Sequence, residues 1–379
     1  MTNTRNAILV FLLLAVLAIA ACGTDTVDTG NKQAKVFRIG AVHPLTGEGA
    51  VYGLPVQRVT EQAVTDLNAK WQAEGKNQRL EVFFDDGKCN GKDGLSAAQN
   101  LVNIKGVKII YGGTCSGETL GMAPFAEENK ILVFSPLSSS PAVTEAGDFV
   151  FRNYPSDTAQ VAAMVPFVKS KGYKTIALLS ENTDYAQALR KSYLKQFPEA
   201  GIEVVADEVV PPNSKDVRTQ VTKIKNANPD AVMLLPQTIP MGEVFVTQVF
   251  ESGLKAQGLG NEVFGLEGGI KGYAEQAEGF YSPSAIFAKE NSPEFAQLKA
   301  QTQCELGIYC ATTYDGIFLL GEILERCGDK DTTCVRDALY ATQGWQGKLS
   351  GETSIDSNGD VAGAFQVNQV KSGKLVKVA

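Results

Sequence analysis

The feature that most constrains the fold of this chain is a regular alternation of β-rich runs with helical patterns. Residues 36–42 have the composition of a strand, and Val56, Val59, Ala63 and Leu67 then fall on one helical face. Further strands are predicted at residues 80–84, 107–111, 131–134, 175–179, 202–210, 231–235 and 263–266. Repeated β-α-β units predict an α/β fold with doubly wound, mostly parallel sheets and helices on both faces.

Two breaks in this alternation divide the chain. One is a turn at residues 154–157, and the other lies at residues 281–284. After the second break, helices are predicted at residues 293–305, 312–326 and 332–342, followed by strands at 348–354, 363–370 and 374–378. This order suits a chain that returns to complete earlier structure. We predict two lobes, with residues 36–154 plus 286–352 in lobe 1 and residues 155–285 plus 353–379 in lobe 2.

The N-terminal segment has the pattern of a lipoprotein signal peptide. Residues 7–21 are apolar, which is shorter than the roughly 20 residues of a membrane-spanning helix, and small residues precede Cys22. We therefore expect residues 1–21 to be removed and Cys22 to carry lipid. Residues 22–35 are polar and are predicted to form a flexible tether. The predicted location is extracytoplasmic, in a bacterial cell envelope, with the protein anchored to the membrane by lipid.

The other six cysteines suit three disulfides in an oxidising compartment. Sequence proximity favours Cys304 with Cys310 and Cys327 with Cys334, which leaves Cys89 and Cys115. A zinc site is poorly supported, because no Cys-x-x-Cys motif occurs and His43 is the only histidine. We expect neither a metal nor a cofactor.

Charge and motifs favour binding over catalysis. The formal net charge is −7 and is spread along the chain, which argues against a nucleic-acid partner. No Gly-x-Ser-x-Gly elbow and no His-Glu-x-x-His helix is present, and the glycines at 47, 49 and 53 miss the dinucleotide fingerprint by one residue. The sequence therefore predicts that the protein is not an enzyme.

In open α/β sheets, ligands bind beyond the carboxyl ends of the strands, so the loops there are the candidate site. Ser116 and Ser139 lie where helices are predicted to begin and are suited to holding a carboxylate. Glu267 could pair with an ammonium group. The alternatives are structural: a solvated loop acid at Glu267, and core aromatics at Tyr52, Tyr185 and Tyr314. Ser140 is followed by proline, which predicts a helix N-cap.

Several of these segments resemble the leucine/isoleucine/valine-binding protein family, the solute receptors of ABC importers. The resemblance runs from about residue 36 to the C-terminus, through Val42-x-Pro44-Leu45-Thr46-Gly47-x-x-Ala50-x-Tyr52-Gly53, Asp85-Asp86, Gly112–Ser116, Ser135-Pro136 and Thr313-Tyr314-Asp315-Gly316. It implies a periplasmic-binding-protein type I fold, a monomer of two lobes joined by three crossovers, which close on a ligand. Its implied partners are an ABC permease and the ATPase that drives it.

The resemblance also implies roles for individual residues. The carboxylate-binding serine of the family falls on Ser116, the backbone-and-hydroxyl segment on Leu137-Ser138-Ser139, the wall aromatic on Tyr52, the second-lobe tyrosine on Tyr185 and the ammonium-binding acid on Glu267. It pairs Cys89 with Cys115. Gln237-Thr238 stands where the branched-chain binders carry an aromatic residue, which admits polar amino acids or small amides as ligands.

The function expected from the sequence is a lipid-anchored receptor that delivers an amino-acid-like solute to an ABC permease. One alternative is a binding subunit of a sensory system that uses the same cleft. Another is a lipid-anchored hydrolase, which turnover of the ligand would reveal.

Overall fold

The structure is a computed structural model that describes residues 34–266, 269–287 and 289–379. The predicted signal peptide, Cys22 and nearly all of the predicted tether lie outside these residues. None of the helices in the described part of the chain is both long enough and apolar enough to cross a bilayer.

The described residues form an α/β fold, as the alternation predicts. The helices are α1 Ala50–Ala73, α2 Gly91–Lys105, α3 Ser116–Asn129, α4 Thr158–Ser170, α5 Asp184–Glu199, α6 Arg218–Ala227, α7 Ile239–Glu251, α8 Pro293–Thr302, α9 Ile308–Cys327 and α10 Thr332–Tyr340. The strands are β1 Lys35–His43, β2 Gln78–Asp86, β3 Ile109–Gly112, β4 Leu132–Ser135, β5 Val150–Arg152, β6 Thr175–Glu181, β7 Glu203–Val210, β8 Ala231–Leu235, β9 Gln257–Gly260, β10 Tyr281–Ala285, β11 Trp345–Gln346, β12 Glu352–Thr353, β13 Phe365–Lys371 and β14 Lys374–Lys377.

Two large sheets organise the chain. The first has the order β2-β1-β3-β4-β5, and β1, β3, β4 and β5 pair in parallel. The second has the order β14-β13-β10-β9-β8-β6-β7, in which β10, β9, β8, β6 and β7 pair in parallel and β13 is antiparallel to β10 and to β14. The chain enters the second sheet after β5, leaves it after β10 and returns to it at β13. The parallel sheets and the late return confirm the predicted fold class.

Each sheet is buried on both faces, which explains its apolar strands. In β3, Ile109 and Tyr111 belong to one hydrophobic core while Ile110 belongs to another. In β6, Ile176 and Ala177 likewise enter different cores. Because successive side chains of a strand point to opposite faces, a strand covered on both sides is apolar without interruption. Full burial of one such large side chain stabilises the fold by about 1.5–3 kcal/mol.

The predicted strand at 263–266 is wrong. Residues Glu262–Gly265 form a 3-10 helical turn, and the strand of this region is β9, just before it. A Cβ atom at Gly258 would meet the ring of Phe280, and one at Gly260 would meet the ring of Phe264. Close packing therefore requires glycine in β9. Because glycine is depleted in strands, the composition of this segment does not indicate a strand.

Two further strands differ from the sequence prediction. Residues 281–284, predicted as a break, lie in β10, where Pro283 is opposite Val367 of β13. The pairing of β10 with β9 is at Tyr281, so Pro283 lies beyond that ladder, where a residue without an N–H is tolerated. The three-residue strand β5 was not predicted, because so short a run carries too few alternations to be recognised.

Candidate functional site

The carboxyl ends of strands from both sheets face one small cavity of about 30 Å³. Residues from both sides contribute to its wall: Tyr52, Thr114, Cys115, Ser116, Leu137, Ser139, Tyr185, Gln237, Glu262, Val263 and Tyr309. Of the sequence-predicted site residues, the structure thus brings together Tyr52, Ser116, Leu137, Ser139, Tyr185 and Gln237.

On the side of the first sheet, the N-terminus of α3 borders the cavity. Cys115 is the N-cap of α3, and the carboxylate of Glu118 accepts the N–H of Cys115 at 2.9 Å. Ser116 is the first residue of the helix, and its Oγ accepts the N–H of Ser140 at 3.1 Å. A helix N-terminus carries partial positive charge, so this end of the cavity favours an anion.

The loop after β4 places Leu137 and Ser139 in the cavity wall but turns Ser138 away. Ser138 Oγ donates to the carbonyl oxygen of Gly113 at 3.0 Å and lies 2.7 Å from Thr119 Oγ1. These bonds hold the loop, so the role of Ser138 is structural in this arrangement. Ser140 Oγ accepts the N–H of Ala142 at 3.3 Å, the N-cap that the sequence predicts.

On the side of the second sheet, the central group is Glu262, which the sequence analysis missed. The residue is 2% exposed, and its carboxylate accepts hydroxyl protons from Tyr154 at 2.6 Å, Tyr309 at 3.0 Å and Ser139 at 3.2 Å. All three of these partners are neutral. Burial raises the pKa of Glu262, and the hydroxyl donors oppose that rise because they stabilise the ionised form.

A second carboxyl group lies close to Glu262. Asp157 is fully buried, and its Oδ1 accepts a hydrogen bond from the side-chain amide of Gln160, whose oxygen accepts the N–H of Glu262 at 3.2 Å. Burial and then the charge of Glu262 raise the pKa of Asp157 well above its usual value. Two carboxyl groups therefore lie together at this end of the cavity, and a cation placed there would favour their ionised forms.

Direct bonds join the loops of the two sheets around the cavity. The hydroxyl of Tyr52 donates to the backbone oxygen of Gln237 at 3.1 Å, and Gln237 Nε2 lies 2.8 Å from Cys89 Sγ. Within the side of the second sheet, the hydroxyl of Tyr185 accepts from Asn261 Nδ2 at 3.3 Å. Tyr52 and Gln237 therefore form one part of the cavity wall to which both sheets contribute.

Besides Ser138, two described residues of the predicted site, Thr238 and Tyr314, are not among those that line this cavity. Thr238 is the N-cap of α7, and its Oγ1 accepts the N–H of Met241 at 3.3 Å. The hydroxyl of Tyr314 donates to Asp66 Oδ2 at 2.7 Å, and its ring stacks on Phe318. Glu267 lies outside the described residues.

The structure confirms the three predicted disulfides, which join Cys89 with Cys115, Cys304 with Cys310 and Cys327 with Cys334. Cys115 lies in the cavity wall, so the longest of these links fixes a residue beside Ser116.

The fold and the cavity define a solute-binding protein, and comparison with known proteins identifies the family. Residues 36–374 match the model of the periplasmic binding protein family, so the chain belongs to this family, whose members are solute-binding proteins and not enzymes. The chain is 26% identical over 357 residues to the leucine-, isoleucine-, valine-, threonine- and alanine-binding protein of Pseudomonas aeruginosa, covering 92% of both proteins.

Two solved structures are similar over nearly the whole chain. The leucine-binding protein LivK of Thermotoga maritima has a TM-score of 0.80 and 25% identity, over 90% of this chain and 98% of that one. The branched-chain amino acid binding protein LivJ of Streptococcus pneumoniae, in complex with isoleucine, has a TM-score of 0.77 and 26% identity, over 91% of this chain and 100% of that one. These similarities confirm the two-lobed type I fold and the family resemblance in the sequence.

Proposed function

We propose that this protein is an extracytoplasmic receptor that captures an α-amino acid or a related small amide and delivers it to an ABC permease. The observation that carries the proposal is the opposite polarity of the two ends of one buried cavity. Ser116 and the N-terminus of α3 favour a carboxylate, and Glu262 is a buried acid whose bonded partners are neutral. A zwitterion with adjacent charges would satisfy both ends.

The ammonium group of the ligand would supply a counter-charge for Glu262, whose bonded partners are neutral. A buried carboxylate without a cation is costly, and a paired one is much less so. Asp157 adds to this effect, because the charge of Glu262 raises the pKa of Asp157 and a nearby cation would relieve both groups. A few charge-assisted hydrogen bonds suffice for micromolar affinity, which requires about −8 kcal/mol.

The proposed binding event is closure of two lobes, residues 36–154 plus 286–352 and residues 155–285 plus 353–379. The cavity of about 30 Å³ is bounded by loops of both lobes, and these loops would separate to admit an amino acid. The bonds from Tyr52 to Gln237 and from Ser139 to Glu262 link the two sides and would re-form around the ligand.

The wall residues support a small ligand side chain. Leu137 and Val263 offer apolar contact, and Tyr52 and Gln237 add polar groups. The Pseudomonas aeruginosa relative binds threonine and alanine besides the branched-chain amino acids, by its name. We therefore favour small aliphatic or polar amino acids, with small amides next.

Membrane attachment through lipid on Cys22 is part of the proposal and rests on the sequence pattern. Substitution Cys22→Ser is expected to abolish labelling with radioactive palmitate and to release soluble protein that binds ligand normally. Membrane attachment that survives this substitution would contradict the lipoprotein assignment.

The experiment that tests the ligand class is a thermal-shift panel on the chain from residue 23 onward. The panel holds the twenty standard L-α-amino acids, their 2-hydroxy acid analogues where these exist, and short amides. A ligand at 100 times its Kd adds about 2.7 kcal/mol to the free energy of unfolding, which raises the midpoint measurably. Failure of every amino acid and amide at 10 mM would overturn the proposed ligand class.

A further inference from the structure

The wall residue Tyr309 lies inside a small loop that a disulfide closes. Helix α8 ends at Thr302 and α9 begins at Ile308, and the bond from Cys304 to Cys310 spans this connection with a sequence separation of 6. Both cysteines are fully buried in a hydrophobic core. Tyr309 immediately precedes the second of them, so the covalent link restrains the backbone on which its side chain depends.

The same loop bounds the acidic end of the cavity. The hydroxyl of Tyr309 donates to Glu262 Oε1 at 3.0 Å. Its ring contacts those of Tyr154 and Tyr52 edge-on, with centroid separations of 5.1 and 6.1 Å. Leu306 and Ile308 of the loop face a second cavity, of about 500 Å³, which Glu262 also lines. The loop and Glu262 therefore border both the small cavity and this larger one.

We propose that the disulfide from Cys304 to Cys310 is a positioning element of the ligand site. It holds Tyr309 so that the tyrosine hydroxyl stays bonded to Glu262 and directs the carboxyl group at the ligand ammonium group. A hydrogen bond to the ionised form of a carboxyl group favours that form, so displacement of Tyr309 would favour the protonated acid, which attracts a cation weakly. This inference rests on the proposed function, because it assigns the loop to the amino-acid site.

The chain contains a matched control at the other end of the same helix. Cys327 and Cys334 are separated by 7 residues and join the end of α9 to α10. A disulfide lowers the chain entropy of the unfolded state by an amount that depends on the length of the closed loop, so the two links stabilise the fold to a similar extent. Neither Cys327 nor Cys334 lines the small cavity.

The experiment compares two double variants, Cys304→Ala with Cys310→Ala and Cys327→Ala with Cys334→Ala. Alanine is chosen because Cys304 and Cys310 lie in an apolar core, where a serine hydroxyl would be buried. Calorimetry measures affinity for the best-bound of the twenty L-α-amino acids and for its 2-hydroxy analogue, which lacks the ammonium group. Each variant is made with and without Tyr309→Phe.

The readout is the ratio of the two affinities, which general loosening of the fold would not change. We expect loss of the Cys304 link to lower this ratio about tenfold and loss of the Cys327 link to leave it within twofold of the unmutated chain. Tyr309→Phe should lower the ratio in the unmutated chain and add little once the Cys304 link is gone. Equal ratios in the two double variants would overturn the inference. So would a decrease in the ratio on adding Tyr309→Phe to the variant without the Cys304 link that is as large as in the unmutated chain.

A second measurement uses the unmutated chain and does not depend on the folding of a variant. A saturating concentration of the same amino acid should slow phosphine reduction of the Cys304 link several-fold more than that of the Cys327 link, as followed by alkylation and mass spectrometry. Equal slowing of the two links counts against the inference. If the unmutated chain binds no amino acid, the proposed function fails together with the inference, whereas binding with unchanged ratios refutes the inference alone.

Discussion

The hydroxyl of Tyr52 lies 3.1 Å from the backbone oxygen of Gln237, which joins the first turn of α1 to the loop that follows β8. The two residues belong to opposite sides of the cavity. Their bond forms only where the two loops meet, so in the proposed binding mechanism it belongs to the closed form.

Substitution Tyr52→Phe should therefore weaken ligand binding with little effect on the ligand-free fold. The phenylalanine ring preserves the packing, and the lost hydrogen bond corresponds to about 1 kcal/mol, or roughly a fivefold increase in Kd. Most of the change should appear as faster dissociation, since the bond stabilises the closed form. Stopped-flow displacement of bound amino acid measures that rate.

Tyr314→Phe is the matched control for this variant. It removes the same hydroxyl group, but the bonds that it breaks go to Asp66 and Lys348, and Tyr314 does not line the cavity. Affinity should stay unchanged, with at most a modest loss of stability. A loss of affinity equal to that of Tyr52→Phe would show that the wall is assigned incorrectly.

The second prediction concerns Glu262. Glu262→Gln should weaken binding of an amino acid by about 2–4 kcal/mol, because the ammonium group loses its buried counter-charge. Binding of the 2-hydroxy analogue should change much less. Burial raises the pKa of Glu262, so above the ordinary pKa of a glutamate the cost of ionising this residue destabilises the folded state. Glu262→Gln removes that cost, so the ligand-free variant should be more stable than the unmutated chain at pH 7. Calorimetry and urea denaturation measure the two effects.

Glu267→Gln is the informative comparison, because the sequence resemblance assigns the ammonium group to Glu267. If Glu262 is the partner, Glu267→Gln should leave affinity within about twofold of the unmutated chain. The reverse result, with a large loss only at Glu267, would restore the assignment made from the sequence.

The two candidate acids, Glu262 and Glu267, show which parts of the site could be predicted from the sequence and which could not. Ser116 and Ser139 were predictable because they follow strands β3 and β4, which are apolar and easily recognised. Glu262 was not, because the strand before it contains Gly258 and Gly260 and lacks the composition of a strand. The prediction placed the strand at residues 263–266, so the acid that it selected in the following loop was Glu267.

The two tyrosines of α9 give a similar lesson. Tyr309 and Tyr314 are five residues apart, which separates their side chains by about 140° around a helix. Both are buried, so hydrophobic periodicity does not distinguish them. Contact with Glu262 makes Tyr309 the cavity residue, and that contact is a property of the tertiary fold.

The third prediction concerns pH and His43, the only histidine in the chain. His43 is fully buried and shares a hydrogen bond of 2.9 Å with Thr114 Oγ1, and burial lowers the pKa of His43 to about 3. In the unfolded chain His43 therefore takes up a proton near pH 6.5, whereas in the folded protein it stays neutral until the pH is much lower. Stability from this group is present above pH 6.5 and is lost as the pH falls towards 3, by about 1.4 kcal/mol per pH unit.

Comparison with His43→Gln isolates this contribution from other titrating groups. Burial raises the pKa of Glu118 to about 8, so stability from this group falls as the pH rises from its ordinary pKa to 8, opposite to the effect of His43. The contribution of Glu118 is the same in the unmutated chain and in the His43→Gln variant. The difference between the two urea-denaturation curves should therefore change only below pH 6.5. A histidine NMR signal that titrates near pH 6.5 in the folded protein would contradict the prediction.

The last prediction ranks the three disulfides by their contribution to stability. The Cys89–Cys115 link has a sequence separation of 26, against 6 for Cys304–Cys310 and 7 for Cys327–Cys334. In the chain-entropy model the longer loop stabilises the fold by about 3.5 kcal/mol and each shorter loop by about 2.5 kcal/mol. Pairwise alanine variants measured by urea denaturation should follow this order.

The variant that lacks the Cys89–Cys115 link should also lose affinity for the ligand, because Cys115 is the N-cap of the helix that begins at Ser116 and Cys89 contacts the side chain of Gln237. Removal of the Cys327 link should leave affinity unchanged, and a loss of affinity there as large as that of the Cys89 pair would mean that the disulfides act on binding only through overall stability.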